Sequence, residues 1–375
     1  EVALHALIKV DATQRRARFE RVIAHLVSRE GVILSASERN QLVRRVVDEA
    51  VGLGVLEPIL NDPSVSEIMI NGHDTIYVER AGKLERWPAP FSSDEQLMQT
   101  IDRIVSTVNR RVDESSPMVD ARLPADSRMP RGARVNVVLP PLSLNGPTVT
   151  IRLFPHALSL TQLIERESID RRTALLLKAC VEGRLNVVVS GGTGSGKTTL
   201  LNALSSFISP DERIVTIEDA AELSLNQPHT IRLETRPANV EGRGQVSIRD
   251  LVRNSLRMRP DRIIVGECRG GEALDMLQAM NTGHEGSLTT VHANNPDDAL
   301  SRLETLASMS DVEVPFHALR DQVNSAIDII VQLNRLADGS RRVVDVSWVR
   351  SRRQEDFDLV PLMQYVLDRR DPAPP

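Results

Sequence analysis

The chain has 375 residues, 41% of them hydrophobic and 26% charged, so it is neither collagenous, low-complexity nor wholly disordered, and it is long enough for roughly two or three domains. Aromatic residues make up only 3% and the net charge is −5, which argues against a base-stacking surface and against a general nucleic-acid binder. Cys180 and Cys268, the only cysteines, are too few for a four-cysteine zinc site or a disulfide framework, so a reducing compartment is expected.

In chain order, residues 1–55 read as a helical segment. Arg15 to Ser28 carries apolar residues at Ala17, Val22, Ile23, Leu26 and Val27, and Ser37 precedes a second pattern that Gly52 and Gly54 close. Residues 56–153 read as a small α/β domain. Strands are expected at Ser66–Ile70, Thr75–Glu79 and Lys83–Trp87, a helix over Asp94–Val108, and strands at Arg134–Leu139 and Thr148–Leu153. Residues 154–160, with Pro155, read as a linker. Beyond it, residues 161–365 form a second α/β domain. Its apolar strands Asn186–Val189, Arg213–Ile217, Arg262–Val265 and Leu288–Val291 alternate with helices over Lys197–Phe207, Ile248–Met258 and Glu272–Thr282. That alternation predicts a mostly parallel sheet with ligands beyond the carboxyl ends of its strands. Residues 366–375 are a Pro-rich tail.

The most specific signal is Gly191-Gly192-Thr193-Gly194-Ser195-Gly196-Lys197-Thr198, which fits the phosphate-loop pattern G-x-x-x-x-G-K-[ST] between a strand and a helix. Glycines let backbone N–H groups converge on phosphates, and the following helix N-terminus adds a favourable dipole. With Thr199 these residues form the expected nucleotide-binding set; Lys197 should reach the β/γ-phosphates and Thr198 should ligate Mg²⁺. Hydrolysis also needs carboxylates. Glu218, Asp219 and Glu222 follow one strand and are candidates for the metal side, while Glu267 follows the Arg262–Val265 strand, where it can polarise the attacking water. His284 and His292 flank Leu288–Val291.

Taken together, Gly191–Thr198, Ile217–Glu222, Arg259–Glu267 and Gly283–His292 resemble the Walker A, Asp box, Walker B and His box of the type II/type IV secretion ATPases. Glu241–His292 most resembles the tight-adherence (Tad/Flp) pilus ATPases of the CpaF type, and the resemblance extends over about residues 40–345, including Asp120–Pro124 and Arg134–Pro141. It implies a RecA-like P-loop NTPase domain preceded by a PAS-like domain and N-terminal helices. It also implies that Glu267 is the catalytic base or water-positioner, that Glu222 assists at the metal, and that His284 and His292 contact the phosphate region. Arg134 and Arg152 would approach the nucleotide from the N-terminal domain. Ala220 stands where pilus-retraction relatives often carry proline, and Cys268 follows the catalytic Glu.

By the same resemblance the chain is expected to be an ATP- and Mg²⁺-dependent motor. It would form a hexameric ring at the cytoplasmic face of the inner membrane, push pilin through a polytopic platform protein, and engage no nucleic acid. A ring NTPase translocating nucleic acid would share the RecA-like core and is the competing reading. Arg341-Arg342 and Arg350–Arg353 could serve it, but Glu355, Asp356 and Asp358 follow directly, as on a solvated surface.

Overall fold

The computed structural model describes residues 12–29, 34–80, 82–154, 157–238, 242–350 and 356–366. Most of the expected tail, and Pro155 and His156 of the expected linker, lie outside the described residues. The chain divides into two compact units, 1–155 and 156–375.

The first unit opens with two helices, α1 (Ala12–Arg29) and α2 (Ala36–Val51). Ser35 caps α2: its hydroxyl accepts the Glu38 N–H while the Glu38 carboxylate accepts the Ser35 N–H, satisfying two amides that a helix start leaves open. At the other end of α2, Arg103 donates to the carbonyls of Glu49 and Gly52 at 2.6 and 2.9 Å, a cation where the helix dipole is negative. A short helix α3 (Glu57–Leu60) follows. The Glu57 carboxylate is only 3% exposed; it accepts the Leu53 N–H at 2.9 Å and Arg128 at 2.7 Å.

Six antiparallel strands then form one sheet in the order β3-β2-β1-β6-β5-β4, from β1 (Val65–Asn71), β2 (Ile76–Arg80), β3 (Lys83–Arg86), β4 (Met118–Leu123), β5 (Ala133–Val138) and β6 (Thr148–Leu153). Apolar residues alternate along each inner strand, as Ile68 and Ile70 do on β1, Val135 and Val137 on β5, and Val149 and Ile151 on β6. Helix α4 (Asp94–Ser106) contributes Leu97, Ile101 and Ile104 to the same core, one face of an amphipathic helix. Strand β4 was not expected. Val119, Ala121 and Leu123 alternate with Asp120 and Arg122 over only six residues, and the segment pairs along its length with β5.

The second unit is a sheet of eight strands in the order β14-β13-β12-β7-β11-β10-β8-β9. Its parallel part comprises β7 (Val187–Gly191), β8 (Ile214–Glu218), β9 (Thr230–Glu234), β10 (Arg262–Cys268), β11 (Leu288–Val291) and β12 (Ile329–Arg335). Strands β13 (Arg341–Val349) and β14 (Leu359–Gln364) extend it antiparallel. Helices cover both faces, which is what fully apolar strands require. On one face lie α5 (Leu160–Glu165), α6 (Arg171–Glu182) and α7 (Lys197–Ser205); on the other lie α8 (Ile248–Ser255), α9 (Glu272–Met280), α10 (Pro296–Ser308) and α11 (Phe316–Ala326). Within β7, Val187 and Val189 join the first core and Val188 the second. Among the described residues, no helix is long and apolar enough to cross a membrane.

Candidate functional site

Because β7, β8, β10 and β11 run parallel, their carboxyl ends share one edge, and the sequence-predicted residues of those strands gather there. Strand β7 ends at Gly191 and α7 begins at Lys197. The turn between them passes through left-handed backbone at Gly194 (φ +68°) and Gly196 (φ +98°), a conformation that costs glycine nothing and any L side chain strain. Lys197 is buried, and its ammonium donates to the carbonyls of Gly191 and Gly192, each at 2.9 Å. Burial lowers its pKa. Gly192, Thr193 and Gly194 are exposed, and Thr198 and Thr199 half-buried, at the head of α7.

His292, just past β11, lies 3.3 Å from the Lys197 ammonium and places Nε2 2.7 Å from Glu267 Oε1. Burial, and then the Lys197 charge, hold His292 below the ordinary histidine pKa, so the neutral imidazole is favoured at neutral pH. The other Glu267 oxygen, Oε2, accepts Arg269 Nε at 2.7 Å, and Arg269 Nη1 reaches Asp219 Oδ2 at 3.3 Å. Lys197, His292, Glu267, Arg269 and Asp219 therefore form one continuous polar array. Adjacency explains it: β8 pairs with β10 as far as Ile217 and Val265, so the residues that follow leave the two neighbouring strands side by side. Arg269 is a member that sequence reasoning missed. The signal was its place two residues after Glu267, directly past the end of the strand.

Glu218 is turned inward. It is 3% exposed, its Oε2 accepts the N–H groups of Glu222 and Leu223 at 2.9 Å each, and burial pushes its pKa up to about 7. Gly266 on β10 makes room for it, since a Cβ there would meet Glu218 Cγ at 2.9 Å. Glu222, half-buried, is tied to this loop through its backbone. Cys268 is buried beside Met276 and Thr289, and burial pushes its thiol up to about 12, so it is an inert core residue. His284 is not brought into the array. It precedes β11, whose Leu288 pairs with Val187 at the start of β7, so it stands at the opposite edge of the sheet, with Nδ1 3.3 Å from the Ala279 carbonyl.

The residues suit a nucleoside triphosphate with Mg²⁺. Exposed loop glycines, a helix N-terminus and a buried ammonium form an anion cradle. Thr198 offers a hydroxyl beside it, and Glu218 Oε1 is a buried acceptor with no hydrogen-bond partner, as expected of an oxygen facing a cation or its water shell. Among the described residues, no group of three or more His, Cys, Asp and Glu is arranged to hold a metal by protein ligands alone.

Arg134 and Arg152 belong to the first unit. They are cross-strand partners on β5 and β6, and Arg122 of β4 continues the same row opposite Arg134. Arg134 Nε donates to Asp120 at 3.0 Å. The sequence reading did not include Arg122, because β4 itself was not recognised.

Residues 49–359 match the family model described as "Type II/IV secretion system protein". A Mycobacterium tuberculosis protein with a provisional conjugal-transfer name is 39% identical over 82% of this chain and 87% of its own. The conjugal transfer protein TrbB of Rhizobium radiobacter is 33% identical over 80% and 88%. Among solved structures, the pilus retraction motor PilT with bound ADP superposes with a TM-score of 0.60 at 20% identity, covering 82% of each chain, which supports the RecA-like fold. The match over 49–359, together with relatives at this identity and coverage, makes this chain a member of the type II/IV secretion system ATPase family.

Proposed function

We propose that the chain is an ATP-hydrolysing motor that works as a hexameric ring at the cytoplasmic face of the inner membrane. There it powers a Tad/type IV-like pilus by acting on a polytopic platform protein and, through it, on pilin. The observation that carries the hydrolytic reading is the array Lys197–His292–Glu267–Arg269 at the carboxyl edge of the sheet. In this reading Lys197 leaves the Gly191 and Gly192 carbonyls for the β/γ-phosphates, a stronger acceptor for a desolvated ammonium. Glu267 accepts the proton of the attacking water, with Arg269 fixing one of its oxygens and the His292 ring packed against the other. Thr198, Glu218, Asp219 and Glu222 would hold Mg²⁺, which would supply charge neutralisation for the phosphates. Arg134 and Arg152 add positive charge at the transferring phosphoryl group. His284 has no place in this scheme within one chain.

Measuring nucleotide affinity and turnover separately tests the assignment. Lys197→Ala should lose both, because a point charge on the phosphates is gone. Glu267→Gln should bind normally and lose turnover, since the amide keeps the shape but accepts no proton. Arg134→Ala combined with Arg152→Ala should bind nucleotide and turn over slowly. A Glu267→Gln protein with near-parental turnover would remove Glu267 from the reaction.

A second reading has one observation in its favour: relatives named for conjugal transfer, such as TrbB. It would couple hydrolysis to nucleic-acid movement. Turnover stimulated by DNA alone, and not by the platform protein, would select it.

A further inference from the structure

The phosphate loop is held from outside as well as from within, and the outer hold comes from a distant part of the chain. Strand β13 is antiparallel to β12, so it begins at the carboxyl edge of the sheet, where Leu333 of β12 pairs with Gly191. A tight turn sets where it begins. The Leu336 N–H donates to the Ser340 carbonyl at 2.8 Å, Gly339 takes left-handed backbone (φ +84°), and the Asp338 carboxylate accepts both the N–H and the hydroxyl of Ser340. Arg341, the next residue, reaches across to the loop and donates Nε to the Gly194 carbonyl at 2.7 Å. Its stem lies beside Gly196, where a Cβ would meet Arg341 Cδ at 3.6 Å.

Inside the loop, the side-chain contacts converge on its first two glycines. Lys197 donates to the Gly191 and Gly192 carbonyls, and the Ser195 hydroxyl donates to the Gly192 carbonyl at 2.9 Å. The tip has no such support. Gly192, Thr193 and Gly194 are exposed, and a Cβ on Gly192 or Gly194 would meet no atom within 4 Å. Glycine also leaves the backbone free to turn there, and ordering it costs conformational entropy. Among the described residues, the Arg341 bond is the one that reaches this tip from outside the loop. Peptide geometry gives its effect on the amides. In a trans peptide the carbonyl and the following N–H point in opposite directions. Drawing the Gly194 oxygen toward β13 therefore turns the Ser195 N–H back into the loop, 3.4 Å from the Gly192 carbonyl. A phosphate loop works by turning such N–H groups inward, and a cradle already set costs less to fill.

We infer that Arg341 is a positioning residue for the phosphate loop: from the start of β13 it holds the Gly194–Ser195 peptide with its N–H aimed at the phosphates. The inference rests on the ATP reading above and names a residue outside the loop that prepares it.

Calorimetric titration of the full chain with ATP and, separately, with inorganic tripolyphosphate tests it, alongside thermal unfolding without ligand. Arg341→Ala should weaken both ligands by about fivefold or more, because loop amides meet phosphate in each, and should leave the unfolding midpoint unchanged. Arg341→Lys, which can donate to the same carbonyl, should recover most of the affinity. In steady-state turnover the loss in Arg341→Ala should fall on KM rather than on kcat. The deficit should persist at about 0.5 M salt, where a charge acting only through solvent is screened. Unchanged affinity for tripolyphosphate in Arg341→Ala would overturn the assignment, as would a deficit that salt abolishes. A lowered unfolding midpoint in both variants, matched by equal losses of affinity, would make the contact merely structural and overturn it too. If the parent binds neither ligand, the nucleotide reading itself falls, and this assignment with it.

Discussion

Glu267 is restrained from two directions by groups of different kinds, and the difference sets what each can contribute. Burial, and then the Lys197 charge, lower the His292 pKa, which favours the neutral ring beside the carboxylate it touches. Arg269 is permanently charged and holds Glu267 Oε2 while reaching Asp219, so it fixes the position of one carboxylate oxygen. Arg269→Ala should therefore lower kcat by on the order of 10–100-fold, the range seen when a group that orients a catalytic residue is lost, with little change in nucleotide affinity. Arg269→Lys, which keeps charge but not the fork, should recover only part of it. If kcat is unchanged in Arg269→Ala, the contact is an ordinary exposed ion pair.

At the level of elements, Asp62 shows how a turn is locked to a strand. It precedes β1, accepts the Ser64 N–H and hydroxyl at 2.9 and 2.6 Å, and accepts Arg80 of β2 at 2.8 Å. The Ser64 hydroxyl foremost, with its N–H and Arg80, brings the Asp62 pKa down to about 2. A depressed carboxyl stabilises the fold above its ordinary pKa, and that contribution fades as pH falls through the lowered one. Asp62→Asn should cost about 1 kcal/mol at pH 7, after allowance for solvent screening, and the difference should shrink between pH 4 and pH 2 in denaturant titrations. A difference independent of pH would mean that packing, not charge, holds the turn. Elements of this kind were legible in the sequence only where one pattern dominated. Short runs rich in aliphatic and β-branched residues marked β7, β8, β10 and β11, and the glycine-lysine motif marked the loop between β7 and α7. The Arg341-Arg342 start and Asp345 obscured β13, and neither β9 nor β14 has a run of apolar residues long enough to stand out. The site was legible residue by residue, through Lys197, Glu267 and His292. Its connections were not, because the Arg269–Asp219 contact depends on β8 lying beside β10, and strand order is not written in local sequence. His284 shows the converse: a strand has two ends, and flanking it from the amino side leads away from the site.

For the whole molecule, the motor proposed above raises the matter of what a single chain would pull against. Hydrolysis at the edge of the second unit does work only if its conformational consequence is opposed by something fixed, and in a ring that something is the next copy. The second unit carries a short stretch of surface suited to such a neighbour: Met309, Val312 and Phe316, at the junction of α10 and α11, are 57%, 49% and 56% exposed. Large apolar side chains clustered in eight residues are unusual on a surface that meets only water. Assembly would remove them from solvent, and at roughly 25 cal/mol per Å² even part of that area favours association. We therefore expect light scattering of the full chain at micromolar concentration, with a non-hydrolysable ATP analogue, to give a mass near that of a hexamer of the 41.5 kDa protomer. Val312→Ser with Phe316→Ser should shift the equilibrium toward smaller species and lower turnover in parallel, while Arg269→Ala should lower turnover without changing the mass. A parent that stays monomeric under these conditions would count against the ring. A double variant that assembles like the parent would place the ring contact elsewhere on the surface.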